Sequence, residues 1–543
     1  MLLGPVLRHV GETTATVWVQ TDRPAVVEVL GARASTFTVA GCHYALVDVT
    51  GLVPATSTEY EVHLDSERVW PREGSAWPAG RIRTRGGNGP LRVVFGSCRH
   101  PKPDEPRQAA LLGIDALDVY ATRLASIPSQ QWPDALLLLG DQVYADNPTP
   151  QTWRWMAARR DIRQPPGAEA ADFTEYVRLY VESWSDEELR WLLSTVPTAM
   201  IFDDHDVRDD WNTSAAWRDH LTAQRWWRER IRGGLASYWV YQHAGNLGPE
   251  ERAADPTYRA VVDADGDAWP VLARMADAAD TDPTSIRWSF RWDLDRARLV
   301  MVDTRCGRVL TEGARAMLDD AEFSWVEDSI ATAATDAVDH LLVGSSLPWL
   351  LPPAVSDLQS ANEVGCARGS ALAERIRQAA DLEHWPAFRA SFDRFTAALR
   401  RVAAEPGAPA TVSVLSGDVH HSYTARARFD EPVPTPVHQL VSSPVHHAVP
   451  GHIRLALRVS WLRLLGAVAR RLARRSGVPD PAVSWRRTSG PHFGNALAVL
   501  RMDGRRAKLT FERADAHRRR WLLGPVSEVA LTGARERVAP IRR

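Results

Sequence analysis

The sequence predicts a layered α/β protein with a small all-β unit in front of it, and three observations carry that prediction. Residues 1–88 hold short stretches rich in β-branched residues (TATVWVQ, AVVEVL, STFTVA, ALVDV, STEYEVHL) spaced by Gly, Pro and Asp turns, the texture of a small β-sandwich. From Leu91 onward, apolar runs alternate with amphipathic stretches, as strands and helices do in layered domains. At 543 residues the chain also exceeds what one ordinary core organises, so two or three lobes are expected.

Taken in order, RGGNGP at 85–90 reads as a linker. LRVVFGS is a strand, followed by a helical stretch over 108–126. DALLLLGD is the second strand: its four leucines suit a strand covered on both faces, and Gly140 lets the backbone turn at its end. An amphipathic helix over 172–194 leads to the strand TAMIFDD and a Trp- and Arg-rich helix over 214–241. WSFRWDL and RLVMVDT read as a hairpin. A helix over 319–335, the strand HLLVGSS, a helix over 371–402 and the strands TVSVLSGD and SYTARARF follow. GNALAVLRM and AKLTFERA form a last hairpin, turning at Asp503 and Gly504.

Hydrophobic content of 45% with 24% charged residues places the chain among globular proteins. No run of about 20 apolar residues suggests a membrane span. The stretch MLLGPVLRHVGETTATVWVQ lacks the basic region, hydrophobic core and cleavage site of a leader. A cytoplasmic location, or one peripheral to a membrane, is therefore expected, with export still compatible with a trimmed N-terminus. Cys42, Cys98, Cys306 and Cys366 are scattered without a CxxC pair, which fits a reduced compartment.

The net charge of −2 hides an asymmetry. Residues 451–543 carry 21 Arg plus Lys against 6 Asp plus Glu, leaving 44 against 61 in the remainder. A basic region on an acidic body either pairs with that body or recruits anionic partners. Within it, LALRVSWLRLLGAVARRLARR at 455–475 is amphipathic and Arg-rich. It reads either as a helix lying on its own domain with solvated arginines or as a contact for an anionic lipid surface. Residues 516–543 read as a basic C-terminal tail.

The chemistry gathers at four strand ends. GSCRH follows LRVVF, GDQVYAD follows DALLLL, DDHDVRDDWN follows TAMIF, and SGDVHHS follows TVSVL. Singly each has a plain reading: an inert buried thiol at Cys98, a turn carboxylate at Asp141 or Asp418, a core histidine at His205. Together they supply a thiol, carboxylates, a phenol and imidazoles at the strand ends where open α/β sheets place their sites. So many acid groups on one edge repel each other unless cations sit among them, which favours a metal site.

These motifs resemble the PhoD-like (alkaline phosphatase D) branch of the metallophosphoesterase superfamily over residues 91–515, with residues 1–88 similar to that family's N-terminal β-sandwich. GDQVY corresponds to the GDxx(D/Y) element, DDHD to (G)NH(E/D), SGDVH to GHxH, and GSCR to the cysteine variant of DxH. VDTR and EHWPAF also look like that family. The resemblance implies a four-layer α/β/β/α metallophosphoesterase-like sandwich preceded by a small Fn3/Ig-like sandwich. It implies Fe³⁺ held by Cys98, Asp141, Tyr144 and His420, and divalent ions near Asp141, Asp204 and Asp418. Those ions are expected to be Ca²⁺, with Mn²⁺ or Mg²⁺ as substitutes.

The expected function is a metal-dependent phosphoric ester hydrolase that uses a metal-activated water in line, without a phosphoenzyme. His205 would stabilise developing charge or protonate the leaving oxygen. Arg99 and Arg305 would grip phosphate oxygens, unless they form salt bridges with the surrounding carboxylates. Asp146, Asp206, His421, His446 and His447 would orient the ligands. The expected partner is a small phosphate ester, with no specific nucleic-acid partner. Two alternatives stand beside this: a phosphodiesterase of phospholipase D or nuclease type using the same metals, and a non-catalytic phosphate- or metal-sensing protein.

Overall fold

The structure is a computed structural model that describes residues 1–87, 89–336, 338–517, 520–533 and 538–539. Its centre explains the leucine run. In the strand Ala135–Leu139, Leu136 and Leu138 face the helices and Leu137 and Leu139 face a second sheet. Val94 and its neighbours Val93 and Phe95 divide the same way in Leu91–Gly96. Because a strand sends alternate side chains to opposite faces, both faces being apolar means that both are covered.

Among the described residues, two seven-stranded sheets pack face to face. The first runs in the spatial order Thr198–Ile201, Ala135–Leu139, Leu91–Gly96, Ala496–Asp503, Arg506–His517, Arg520–Ala530, Val538–Ala539. The second runs Phe290–Leu294, Ala297–Val302, His340–Ser345, Thr411–Ser416, Val437–Val441, Ser422–Phe429, Val483–His492. Leu342, Leu415 and Leu440 of the second sheet join the inter-sheet core, and Val343, Val412 and Val414 turn to the outer helices. The result is the expected α/β/β/α order, preceded by the all-β region, whose two four-stranded sheets enclose a core of their own.

The β region is docked rather than tethered. Arg8, fully buried, donates to Gln242 O and Asn246 Oδ1. Tyr60 donates to Ser194 O, Arg190 to Gly4 O, and Arg252 pairs with Asp48. The stretch read as a linker is pinned as well: Arg85 donates to Asp134 O, and Gly86 N to Asp295 Oδ1 at 2.7 Å. Position 88 lies outside the described residues.

Several elements differ from expectation. The long helices are broken: 108–126 by Gly113 at φ 80° before the Asp115 cap, 172–194 at Ser185 and Asp186, and 371–402 at Trp385 and Pro386. The stretch 455–475 is two helices, Gly451–Val459 and Arg463–Ser476. Within the stretch read as a basic tail, Arg520–Ala530 is a strand that pairs antiparallel with Arg506–His517 and buries Val529 in the inter-sheet core. Gly524 and Pro525 interrupt that strand in the sequence, and its pairing shifts register beside them. Positions 518–519, 534–537 and 540–543 lie outside the described residues. The strands Leu3–Val10, Val437–Val441 and Val483–His492 also escaped the sequence reading.

Candidate metal centre

Parallel strands deliver their ends to one edge. Leu91–Gly96, Ala135–Leu139 and Thr198–Ile201 are parallel neighbours, so Cys98, Asp141, Asp203 and Asp204 leave the first sheet together. Ala297–Val302, His340–Ser345 and Thr411–Ser416 are parallel in the second sheet and bring Arg305 and Asp418. The two edges touch at Gly417: a Cβ there would lie 2.0 Å from Ser97 Oγ, and Asp418 N donates to that hydroxyl at 3.1 Å.

The connecting turns are held in unusual conformations. Cys98, Asp141, Asp418 and His420 have φ of 58°, 53°, 62° and 49°, a left-handed region uncommon for residues other than glycine and concentrated at functional sites. Gly140, at φ 108°, permits a close approach as well, since a Cβ on it would meet the Asp203 side chain at 2.7 Å.

Two groups of side chains present ligand atoms that all lie within 4.8 Å of one another: Asp141 with Asp203 and Asp204, and Asp204 with His205 and Asp209. Asp141 Oδ1, Asp203 Oδ2 and Asp204 Oδ1 are buried without a hydrogen-bond partner. Burial pushes the Asp141 carboxyl well above its ordinary range; His205 opposes this, and Asp203, Asp204 and Asp206 add to it. Burial likewise raises Asp206 and Asp209 to about 7 and Asp210 to about 9. Buried carboxylates without partners are costly, and a multivalent cation is the group that relieves them together. The residues present therefore fit a metal centre.

Tyr144 is buried, with its hydroxyl 3.5 Å from Asp141 Oδ2. Its ring lies among His100, His205 and His447 at centroid distances of 5.0, 4.9 and 5.5 Å. Cys98 is fully buried, its sulfur 3.3 Å from both Ser97 Oγ and Ser443 Oγ and 3.7 Å from Asp418 O. Burial, then Asp141 and Asp418, push its thiol up. His420 stacks on His447 at 4.5 Å, and burial lowers it to about 4, leaving a neutral imidazole able to ligate. Among the described residues, Cys98, Asp418 and His420 border the carboxylate groups without entering either tight set.

His205 is held by Asp146, whose Oδ2 lies 2.8 Å from Nδ1 and also accepts from Asp209 N at 2.7 Å. Although burial opposes it, Asp146, Asp204 and Asp141 raise His205 well above its ordinary value. Asp206 organises the turn by accepting from Gln142 N, Val143 N and Asp203 N, each at 3.0 Å. His446 Nδ1 bonds His100 O, and His421 Nδ1 bonds Val419 O. Both brace backbone.

The two arginines separate. Arg305 is fully buried inside the centre: it pairs with Asp203 and Glu383, and its Nη2 lies 3.1 Å from Asp204 Oδ1 and 3.9 Å from Asp418 Oδ1 with no directed hydrogen bond. Arg99 takes the salt-bridge reading that the sequence left open. It is 4% exposed, and its donors go to Asp115 at 2.7 Å, Ser183 O at 2.7 Å and Asp186 at 2.8 Å. With those partners, all away from the two carboxylate groups of the centre, it anchors the loop after Cys98 to two helices. Sequence reasoning gave no role to Glu383, which binds Arg305, Arg308 and Thr213, or to His384, whose Nε2 lies 2.9 Å from Asp418 Oδ2. EHWPAF carried no chemical pattern that would place it at the end of another strand. Asp203 and Asp209 were visible as repeated acids in DDHDVRDD, yet choosing which acids converge needs tertiary distances.

A four-layer α/β/β/α fold with acid groups, imidazoles and a thiol at its joined strand ends defines a metallophosphoesterase-type protein. Comparison with known proteins sharpens this. The family model described as PhoD-like phosphatase matches residues 119–461, and a domain of unknown function (DUF7800) matches residues 1–82. The chain belongs to the PhoD-like phosphatase family, which supports a metal-dependent phosphoesterase. A solved structure of PhoD is similar in fold, with a TM-score of 0.62 and 11% identity over 100% of this chain and 92% of that one. The purple acid phosphatase from yellow lupin (Lupinus luteus) seeds gives a TM-score of 0.49 and 10% identity, over 94% of this chain and 71% of that one. No curated protein matches. Among the described residues, no helix is long and apolar enough to cross a membrane.

Proposed function

We propose that this chain hydrolyses phosphoric esters by in-line attack of water, without a phosphoenzyme. The observation that carries the reading is the trio Asp141, Asp203 and Asp204, converging within 4.8 Å with a buried oxygen on each that makes no hydrogen bond. Cys98, Asp141, Tyr144 and His420 would hold Fe³⁺, because thiolate and tyrosinate suit a ferric ion. Asp141, Asp204 and Asp418, joined by Asp203, would hold the divalent ion, Ca²⁺ or in its place Mn²⁺ or Mg²⁺. Bound metals lower the pKa of water and offset phosphoryl charge.

The protein's own groups do the rest. Asp146 fixes the His205 ring through Nδ1, and Nε2, 3.8 Å from Asp209 Oδ1, would give a proton to the leaving oxygen. Asp203 and Glu383 clamp Arg305, leaving Nη2 to take a phosphoryl oxygen beside Asp204 and Asp418. Asp141→Asn tests the reading: hydrolysis of a chromogenic phosphate ester should be lost while the variant stays folded by circular dichroism, and retained activity refutes the site. Purified protein should contain iron and show a visible thiolate or tyrosinate band; colourless, iron-free, active protein refutes the ferric assignment. Rates on mono- and diester model substrates compared side by side decide the ester class.

A further inference from the structure

The helices Gly451–Val459 and Arg463–Ser476 are built inside out. The second faces its own protein with small residues: Ala469 and Ala473 are buried, and a Cβ on Gly466 would meet only Pro353, 3.6 Å away on the neighbouring helix Pro353–Ala367. Its large apolar residues point outward. Leu464, Val468 and Leu472, at successive i, i+4 positions on one stripe, are 79%, 50% and 46% exposed. Leu462 in the connecting bend and Leu455 on the first helix are 56% and 61% exposed. An amphipathic helix that lies on its own domain buries such residues, and an exposed apolar patch of this density marks an interaction surface.

The charge around the patch has one sign. Residues 451–476 contain seven arginines and no acidic residue. Arg470 and Arg474 pair with Asp357 and Asp480 and fasten the helix to its domain. Arg454, Arg458, Arg463, Arg471 and Arg475 make no ion pair among the described residues, and all five are exposed. Leucines flanked by arginines whose charge no carboxylate pairs complement a surface that is apolar below and anionic at its rim, the chemistry of an anionic lipid bilayer.

We infer that this pair of helices docks the protein on an anionic membrane surface. The patch adjoins the metal centre: Trp461, between the helices, packs edge-on to Tyr423 at 5.0 Å, and Tyr423 stacks on His421 at 5.0 Å, next to His420. Docking brings the centre to the level of lipid headgroups. The inference rests on exposure and charge alone and stands whether or not the chain hydrolyses esters.

Co-sedimentation of the full chain with vesicles tests it. Binding is expected to phosphatidylcholine vesicles containing about 30% phosphatidylglycerol, weak binding to phosphatidylcholine alone, and weakening with salt. Leu464→Ser with Leu472→Ser, and separately Arg471→Glu with Arg475→Glu, should each weaken binding more than about tenfold with an unchanged thermal midpoint. Three results would each overturn the inference: no binding by the wild type, binding unaffected by either pair, or a patch that instead drives concentration-dependent self-association in ultracentrifugation.

Discussion

Arg99→Met separates the role that the motif GSCR suggested for this arginine from the role the fold gives it. Methionine preserves much of the buried aliphatic stem and deletes the charge. Asp115 then loses the guanidinium 2.7 Å away, Asp186 loses the one at 2.8 Å, and Ser183 O loses its donor. Lys102, 2.6 Å from Asp118 and 3.4 Å from Asp186, is left to face three carboxylates. Removing one partner from a buried ion pair costs about 3–5 kcal/mol, mostly through the charge left behind. A loss of about that size is expected here, because Asp115 is 3% exposed and water cannot replace the arginine.

The pH dependence has a definite sign. Burial, the largest single influence, raises Asp115, yet Arg99 together with His446, Leu117 N and Lys102 holds the carboxyl below its ordinary value. A carboxyl whose folded value is depressed stabilises the protein above its ordinary pKa, and that contribution is lost as pH falls through the folded value. Arg99→Met removes the contribution, so its penalty should be largest at neutral pH and shrink as the carboxylates protonate. Urea midpoints at about pH 7 and about pH 4, with kcat and KM on a chromogenic ester, measure both effects. A variant of unchanged midpoint but raised KM would refute the structural role and restore Arg99 to phosphate binding.

Other consequences follow from the same geometry. Asp146→Asn keeps an acceptor for His205 Nδ1 but removes the charge, so kcat should fall about 10–100-fold with KM and metal content unchanged; loss of metal instead would reassign Asp146 to the ligand set. Chelation should lower the thermal midpoint and readdition restore it, because the buried oxygens of Asp141, Asp203 and Asp204 that make no hydrogen bond favour a folded state that binds cations; an unchanged midpoint would contradict the cation fit. Burial lowers His243 to about 3 and His438 to about 4. The unfolded chain therefore binds protons that the folded one refuses between the ordinary value of 6.5 and those lower values, and stability should fall with acid in that window. Each group contributes up to about 1.4 kcal/mol per pH unit, and His438→Gln should flatten the urea-midpoint profile by its share.

How far the sequence could be read depended on the range of the signal. The strand Ala135–Leu139 was legible because its apolar run is local and admits few readings, and the same holds for Leu91–Gly96 and Thr411–Ser416. Strand ends rich in Asp, His, Cys and Tyr were legible for the same reason. Arg520–Ala530 was not, since Gly524 and Pro525 interrupt it and only its pairing with Arg506–His517 shows it to be one strand. Nor could spacing show that Asp115 and Asp186 would claim Arg99, or that His384 would reach Asp418. Such pairings are set by which helix caps approach which loop, a distance that periodicity does not encode.

The deeper reason lies in how the centre is assembled. Each sheet alone carries part of it: Cys98, Asp141, Tyr144 and Asp204 follow strands of the first, and Arg305, Asp418 and His420 follow strands of the second. The leucines that cover both faces of Ala135–Leu139 bring these edges together, since Leu137 and Leu139 form the inter-sheet core that sets their separation. Contact between Gly417 and Ser97, where no Cβ fits, then fixes the approach at the ligand level. The run that reads as simple hydrophobic content therefore positions the carboxylate that follows it. Arg305 already pairs with Asp203 and lies 3.1 Å from Asp204 Oδ1, whereas Asp141 Oδ1 is buried with no hydrogen-bond partner beside both, and a cation would serve all three carboxylates together.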